Sequence, residues 1–294
     1  PDPNNPDDAN GDGIYEVEIA YVNISAGDPN VPIPKAEEFI EVDLKTEKIF
    51  ELDTEITPVK DVSPDLISSD SDADGSLEEA TLQAPVPRPR NSFGIGLNYK
   101  DHAKESKMEL PKVPVVFSKY PSCISGPFTD IKLRAEQGDY EAELVVVIGH
   151  TTRDISIEES WSHVAGLMVG QDISDRELQL GAQPPPFGLG KSRDTYGPTG
   201  PILVSPDSFG DPDNLAITCD VNGERRQDDR TSSLIFDVSF LVSYLSAVLT
   251  LEPGDLIFTG TPAGVGMPDQ RFLKPGDVVT TSIEGIGTIE NLCR

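Results

Sequence analysis

The sequence predicts a mainly β fold with a few peripheral helices, an α+β domain preceded by a small acidic segment of partial β character. Three observations carry that expectation. Short apolar runs, FGIGLNY (93–99), PVVFSKY (114–120), ELVVVIG (143–149), VAGLMVG (164–170) and DLIFTG (255–260), are rich in Val and Ile and bounded by Gly and Pro, the pattern of buried strands joined by tight turns. Two stretches read as helical, one beginning near Tyr99 (YKDHAKESKM) and one from Phe236 to Leu249, where apolar residues recur at helical spacing. A change of texture near residue 83 separates a front segment and linker (1–83) from the main domain (84–294).

The front segment opens on turn formers and then alternates apolar and polar residues from Ile14 to Val22, a strand signal. Residues 39–51 predict one further strand or two. Asp8, Asn10 and Asp12, followed by Gly13, alternate like a calcium loop, in an extracellular, cadherin-like context, but the twelfth position is Ile19 where a bidentate Glu is required. Between Asp61 and Glu79 the chain is poor in apolar residues and rich in Ser, Asp and Gly, so a mobile linker is expected. No internal repeat is present at solenoid periods.

Formal net charge is −28, and it is uneven: residues 1–85 hold 22 acidic and 4 basic residues, residues 86–294 hold 29 and 19. Nucleic acid and anionic membranes are excluded as partners by that repulsion. The front-loaded acidity suits a saline habitat and a solvated tail equally. No apolar run approaches the roughly eighteen residues of a membrane span. A cytoplasmic location is expected; the start at Pro1 without Met, and the calcium-like front, leave export open. Cys123, Cys219 and Cys293 are odd in number and widely spaced, which fits ordinary thiols rather than a disulfide framework or a metal knot.

DYEAELVVVIG, Asp139 to Gly149, places Glu141 and Glu143 at the entrance of an apolar strand. In an extended strand they project to one face, about 6.6 Å apart along the chain, while Tyr140, Ala142 and Leu144 project to the other. One reading is a strand edge with both carboxylates in water. The other is a cation between them, since like charges next to a buried strand are costly without one. An all-oxygen donor set favours Mg²⁺, or Mn²⁺ or Ca²⁺, over Zn²⁺. Asp172, with Gln171 at the end of the run VAGLMVGQD, is the candidate third ligand; capping the following turn is its alternative, a job Ser174 or Asp175 does equally well.

His102 lies three residues before Glu105, so on a helix the two share a face and the carboxylate can orient the imidazole as a general base. Outside a helix the pair carries no such meaning. His163 reads as a core or strand-edge histidine and His150 as a turn residue. Lys191, in FGLGKSRDTYGPTGP, sits in a Gly- and Pro-fixed loop where an ammonium can stabilise an oxyanion or enolate. GKS is not a phosphate loop, because position 185 is Pro where that motif needs Gly. TGTPAGVG (259–266) is Gly-rich but no helix-forming segment follows before Pro268, which favours a substrate-lining loop over dinucleotide binding.

In chain order, GLNYKDHAKE, FSKYPSCISGP, DYEAELVVVIG, VGQDISDRELQ, GKSRDTYGPTGP, VNGERRQDDRTSSLIF and PGDLIFTGTPAGVG resemble the motifs of the fumarylacetoacetate hydrolase family over roughly residues 86–294. The resemblance implies a mixed β-sandwich roll, a homodimer, a divalent metal and a small 2-oxo acid or β-diketone substrate. It implies metal ligation by Glu141, Glu143 and Asp172, and water activation by His102 and Glu105. By the same resemblance Lys191 and Thr195 approach the metal and the substrate carbonyl, and Arg176, Gln179 and Thr261 contact substrate. Hydrolysis of a C–C bond in an acylpyruvate-like compound is the first expectation. Decarboxylation, isomerisation and hydration or dehydration share its enolate and stand as alternatives, with a calcium-binding surface module joined to a silent enzyme fold as the non-enzymatic one.

Overall fold

The computed structural model describes residues 82–294 apart from residue 184, together with four short strands in the front segment. These are β1 (Tyr21–Val22), β2 (Ile40–Asp43), β3 (Lys48–Glu51) and β4 (Gly75–Ser76). The pair expected within 39–51 is a hairpin with Ile40 opposite Glu51. Gly75 and Ser76, inside the expected linker, pair with Ile49 and Lys48. The calcium-loop reading over Asp8–Ile19 and most of the strand read from Ile14 lie outside the described residues.

The main domain contributes β5 (Ser92–Gly96), β6 (Val115–Ser118), β7 (Ile124–Ser125), β8 (Gly138–Asp139), β9 (Ala142–Ile148), β10 (Val164–Gln171), β11 (Ser174–Asp175) and β12 (Gly197–Val204). β13 (Ala216–Val221), β14 (Glu224–Arg230), β15 (Leu256–Phe258), β16 (Val278–Ile283) and β17 (Gly287–Leu292) follow. Its helices are α1 (Lys100–Glu105), α2 (Arg176–Leu180), α3 (Phe187–Gly190) and α4 (Val238–Val248). Each of the five apolar runs is a strand, and both expected helices exist. α1 is shorter than its sequence suggests: the chain turns off at Ser106 and Lys107 takes a left-handed φ of 54°. α4 starts later than Phe236 because Asp237 caps it, accepting from the Phe240 N–H at 2.8 Å.

Two sheets form the sandwich. The larger, of eleven described strands, runs β4-β3-β2-β1-β12-β10-β9-β15-β5-β6, with β7 on β12. It is mixed, since β15 runs parallel to β5 and antiparallel to β9. The smaller, β14-β13-β16-β17, is antiparallel throughout. A mainly β, mixed sandwich with peripheral helices is therefore the observed class, as the sequence predicts. β9 is buried along its whole length and sorts its side chains by parity. Leu144, Val146 and Ile148 face the main core with Ile217, Cys219, Val279 and Ile283 of the smaller sheet. Val145 and Val147 face a second cluster with Met168, Leu203, Leu256 and Phe258. Each such side chain contributes about 1.5–3 kcal/mol on burial. All three cysteines are buried free thiols.

Two joints hold the loops that follow β5 and β15. Gly260 has φ +104°, and a Cβ there would stand 2.7 Å from the Asn98 Cβ and 3.0 Å from the Ile95 carbonyl, so only glycine lets these segments touch. Asn98, fully buried, donates to the Thr259 and Phe236 carbonyls at 2.8 and 2.9 Å and accepts from the Phe236 N–H at 2.9 Å. It ties the start of α1 to the end of β15 and the approach to α4. Asn98→Ala strands one buried and two partly buried backbone groups and is expected to lower stability by about 2–4 kcal/mol in urea unfolding. A loss under about 0.5 kcal/mol would remove Asn98 from the account of how α1 is placed.

Candidate active site and metal centre

Register assembles the acidic site. β9 and β10 pair antiparallel with Glu143 opposite Gly170 and Ala142 opposite Gln171, and the Asp172 N–H extends the ladder to the Glu141 carbonyl at 2.9 Å. Glu141, Glu143 and Asp172 thus meet across one strand pair, each offering an oxygen within 4.8 Å of the others. All three are buried, at 6%, 1% and 0% exposure, which overturns the reading of a solvated strand edge. Asp172 is not the helix cap either: Asp175 caps α2, accepting from the Leu178 N–H at 2.9 Å.

Charge is nearly but not fully balanced. Lys191 Nζ stands 2.6 Å from Glu141 Oε2 and 2.8 Å from Asp172 Oδ2. Lys119 Nζ, wholly buried, donates to Asp172 Oδ1 at 2.7 Å and to the carbonyls of Lys191 and Tyr196. Arg176 bridges Asp139 (2.7 Å) and Glu141 (2.6 Å) and donates to Gln179 at 2.9 Å. Four buried carboxylates, counting Asp139, thereby face three buried cations. The remainder falls on Glu143, which has no described cation within salt-bridge distance and accepts only the Gly260 N–H at 2.8 Å. Burial, with Asp172 and Glu141 adding like charge, holds the Glu143 carboxyl well above the ordinary range. Burial also raises Glu141, but Lys191 and Arg176, helped by His102, overcome it and bring it down to about 2.

His102, buried on α1, has Nδ1 3.4 Å from Glu105 Oε2, so the expected dyad shares a helix face. Both oxygens of Glu105 accept from the Gly264 N–H at 3.1 and 3.2 Å, docking α1 on the loop after β15. That loop is gripped along its length. Gly260 donates to Glu143, and Gly266 and Met267 donate to Asp139 at 2.6 and 3.0 Å. The expected substrate-lining loop therefore binds both the acidic cluster and the dyad.

Arg176 and Lys191 contact the cluster directly, Gln179 reaches it through Arg176, and the dyad is joined to it by the loop after β15. Thr261 is buried beside Gly260, its hydroxyl accepting from Gln227 at 2.7 Å. Thr195 is directed elsewhere: its hydroxyl accepts from the Lys132 N–H at 2.9 Å, and no described hydrogen bond ties it to the carboxylates. His163 bonds Thr152 at 2.8 Å beside β10, and His150 is an exposed residue after β9, both away from the chemistry. Sequence reasoning missed Lys119, Asp139 and Gln227. Asp139 had a signal, for it shares strand parity with Glu141 and Glu143. Lys119 had one as well, a lone charge closing an apolar run.

The donor set fits a hard divalent cation: three buried carboxylates, one of them uncompensated, and an Asp172 Oδ2 whose contact with Lys191 is close but not a hydrogen bond. No helix among the described residues is long and apolar enough to cross a membrane.

Residues 91–293 match the family model described as fumarylacetoacetate (FAA) hydrolase, C-terminal. An oxaloacetate tautomerase of Bos taurus, described as mitochondrial, is 44% identical over 72% of this chain and 69% of its own. A solved fumarylacetoacetate hydrolase from Exiguobacterium antarcticum superposes with TM-score 0.76 at 33% identity, covering 94% of this chain and 99% of that one. A fumarylpyruvate hydrolase from Pseudomonas aeruginosa, solved with Mn²⁺ and pyruvate, gives TM-score 0.63 at 33% identity over 70% of this chain and 89% of that one.

The two shifted carboxyls predict opposite pH effects on metal-free stability. Glu141, lowered to about 2 in the folded chain, contributes stability that is lost as pH falls from the ordinary carboxylate range through that value. Glu143, raised, contributes stability that is complete below the ordinary range and lost as pH climbs through its folded value. Thermal unfolding without metal is therefore expected to show the midpoint falling toward alkaline pH, with added Mn²⁺ raising it more as pH rises, because the ion displaces the Glu143 proton. Glu143→Gln should flatten the alkaline limb. A Mn²⁺-induced rise of equal size between about pH 5 and pH 8 would rule out a protonated Glu143 as ligand.

Proposed function

The chain belongs to the fumarylacetoacetate hydrolase family, and on that premise we propose that it is a divalent-metal-dependent isomerase of small 2-oxo acids, interconverting their keto and enol forms. The observation that carries the reading is the acidic cluster itself: three carboxylates within 4.8 Å, one uncompensated, with Lys191 against two of them and a His–Glu dyad docked on the adjoining loop. The sequence alone put C–C hydrolysis first. The order is reversed here because identity to the tautomerase reaches 44%, against 33% to the hydrolase solved with pyruvate.

Glu141, Glu143 and Asp172 would hold a divalent cation, and the chemistry it would supply is Lewis-acid stabilisation of negative charge on the keto oxygen of a 2-oxo acid. Once a divalent ion has displaced the Glu143 proton, four carboxylates against three cations and the ion give a local charge of +1, which suits an anionic substrate. His102 faces Glu105 through Nδ1, so Nε2 is the nitrogen left for substrate. It takes a proton from the carbon next to the keto group and delivers one to the enolate oxygen, the reverse transfer carrying enol back to keto, while Glu105 stabilises the imidazolium. Lys191 adds positive charge where the enolate oxygen develops. Arg176, spent on Asp139, Glu141 and Gln179, keeps the cluster in shape, and Gln179, whose Oε1 already accepts from Arg176, still offers its amide NH₂ to substrate.

Hydrolysis is the second reading, favoured by the hydrolase solved with Mn²⁺ and pyruvate. There His102 would take its proton from water, and the leaving group would be a pyruvate-type enolate stabilised by the same cations.

Decay of the enol absorbance of oxaloacetate measures the first reaction, and release of pyruvate from acylpyruvates the second. Tautomerisation is expected to require Mg²⁺ or Mn²⁺, to stop with EDTA, and to slow about 10²–10⁴-fold in His102→Ala with Mn²⁺ affinity intact. Acylpyruvate cleavage outpacing tautomerisation would restore hydrolysis to first place. Neither activity in the metal-loaded chain would sink both.

A further inference from the structure

Gln227 belongs to β14, at the edge of the smaller sheet, yet its side chain is wholly buried against the candidate active site. Its Oε1 accepts from the backbone N–H of Ala142, the residue between Glu141 and Glu143, at 2.9 Å. Its Nε2 donates to the Pro262 carbonyl at 2.8 Å and to the Thr261 hydroxyl oxygen at 2.7 Å. The partners decide which end of the amide is which. A backbone N–H only donates and a carbonyl only accepts, so turning the amide over would set donor against donor and acceptor against acceptor. Nε2 therefore consumes a lone pair of Thr261, and the Thr261 proton must go elsewhere. Among the described residues Thr261 Oγ1 has no other hydrogen bond, although it is only 3% exposed. The preceding residue, Gly260, donates its N–H to Glu143.

From this we infer that Gln227 is a positioning residue that sets the polarity of the Thr261 hydroxyl, making it a hydrogen-bond donor to an oxygen of the 2-oxo acid held beside Glu143. The identity of that ligand rests on the functional reading above; the hydroxyl's polarity does not. Gln227 also joins the strand of the metal ligands to the loop that carries Thr261, so one side chain fixes both the donor and its distance from the carboxylates.

Isothermal titration tests it with two probes, Mn²⁺ alone and then pyruvate added to the Mn²⁺-loaded chain. Thr261→Val is expected to lose about tenfold in pyruvate affinity, the worth of one hydrogen bond, with Mn²⁺ affinity unchanged. Thr261→Ser, which keeps the hydroxyl, retains wild-type affinity. Gln227→Glu offers acceptor oxygens to Thr261, turns the hydroxyl round, reproduces the pyruvate loss and adds nothing further in the Thr261→Val background. Gln227→Met, uncharged and of similar length, gives the same non-additivity where the carboxylate variant does not fold. Unchanged pyruvate affinity in Thr261→Val overturns the inference. Additive losses from the two positions overturn it as well, since they reduce Gln227 to a structural tie. Wild-type chain that binds Mn²⁺ but not pyruvate overturns the 2-oxo acid reading, and with it the ligand assigned to Thr261.

Discussion

The constraint on which the rest of the structure depends is the closing of β9 onto β10 in a register that buries three carboxylates together. The apolar runs fix that register, because a one-residue slip would send Leu144, Val146 and Ile148 to the wrong face of the sheet. Hydrophobic burial thus forces Glu141, Glu143 and Asp172 into proximity that their charges oppose. What surrounds them reads as the response. Lys119, Lys191 and Arg176 come from three separate stretches of chain, each buried and each spending its donors on these acids or on nearby carbonyls. Breaking one member of such a network leaves an uncompensated buried charge, costing about 3–5 kcal/mol, more than the network adds over an apolar replacement. The arrangement makes sense as preparation for a ligand rather than as a source of stability, for it stops one charge short at Glu143.

The loop after β15 turns that cluster into a site. Its glycines matter for access: at Gly264, with φ +106°, a Cβ would lie 2.0 Å from the Arg226 carbonyl, so the loop can lie flat on β14 only without a side chain. Lying flat, it presents successive N–H groups to Glu143, Glu105 and Asp139. Carboxylates of the cluster, of the dyad and of the Arg176 bridge are thereby referenced to one short segment. Side chains from the smaller sheet finish the scaffold, Gln227 through the loop and Thr281 through Gln171, whose amide oxygen accepts from the Glu141 N–H.

Much of this was legible in the sequence. Runs such as ELVVVIG identify strands because both faces of a central strand must be apolar, and parity alone put Glu141 and Glu143 on one side. The HxxE spacing needs a single helical turn to have meaning, and α1 supplies it. Helix ends were less legible, since they follow local caps such as Asp237 and the left-handed Lys107. Partners far apart in the chain were not legible. Lys119 meets Asp172 and Gln227 meets Ala142 only through tertiary packing, and no periodicity marks a lysine or glutamine for burial. Thr195 shows the converse: a position that matches a motif, with its hydroxyl bonded to a backbone outside the cluster.

The family's motifs do not select one reaction, and the structure gives a physical reason. On the proposed reading, what polarises a 2-oxo acid lies at the start of β9, just past the end of β10 and among buried cations, where packing allows little adjustment. The candidate base, His102, is on α1, a helix of six residues, well short of the 12–15 or so at which a helix begins to hold itself together in water. Its placement comes from Asn98 at one end and from Glu105 on Gly264 at the other. Whether His102 Nε2 meets a carbon-bound proton or a water depends on where that short helix docks, over distances of about an ångström, the scale on which positioning changes rates by about 10²-fold. On the proposed reading, a rigid acidic core combined with a separately docked His–Glu pair is compatible with both tautomerisation and hydrolysis, which puts the choice between them in the contacts of α1 rather than in the acidic cluster.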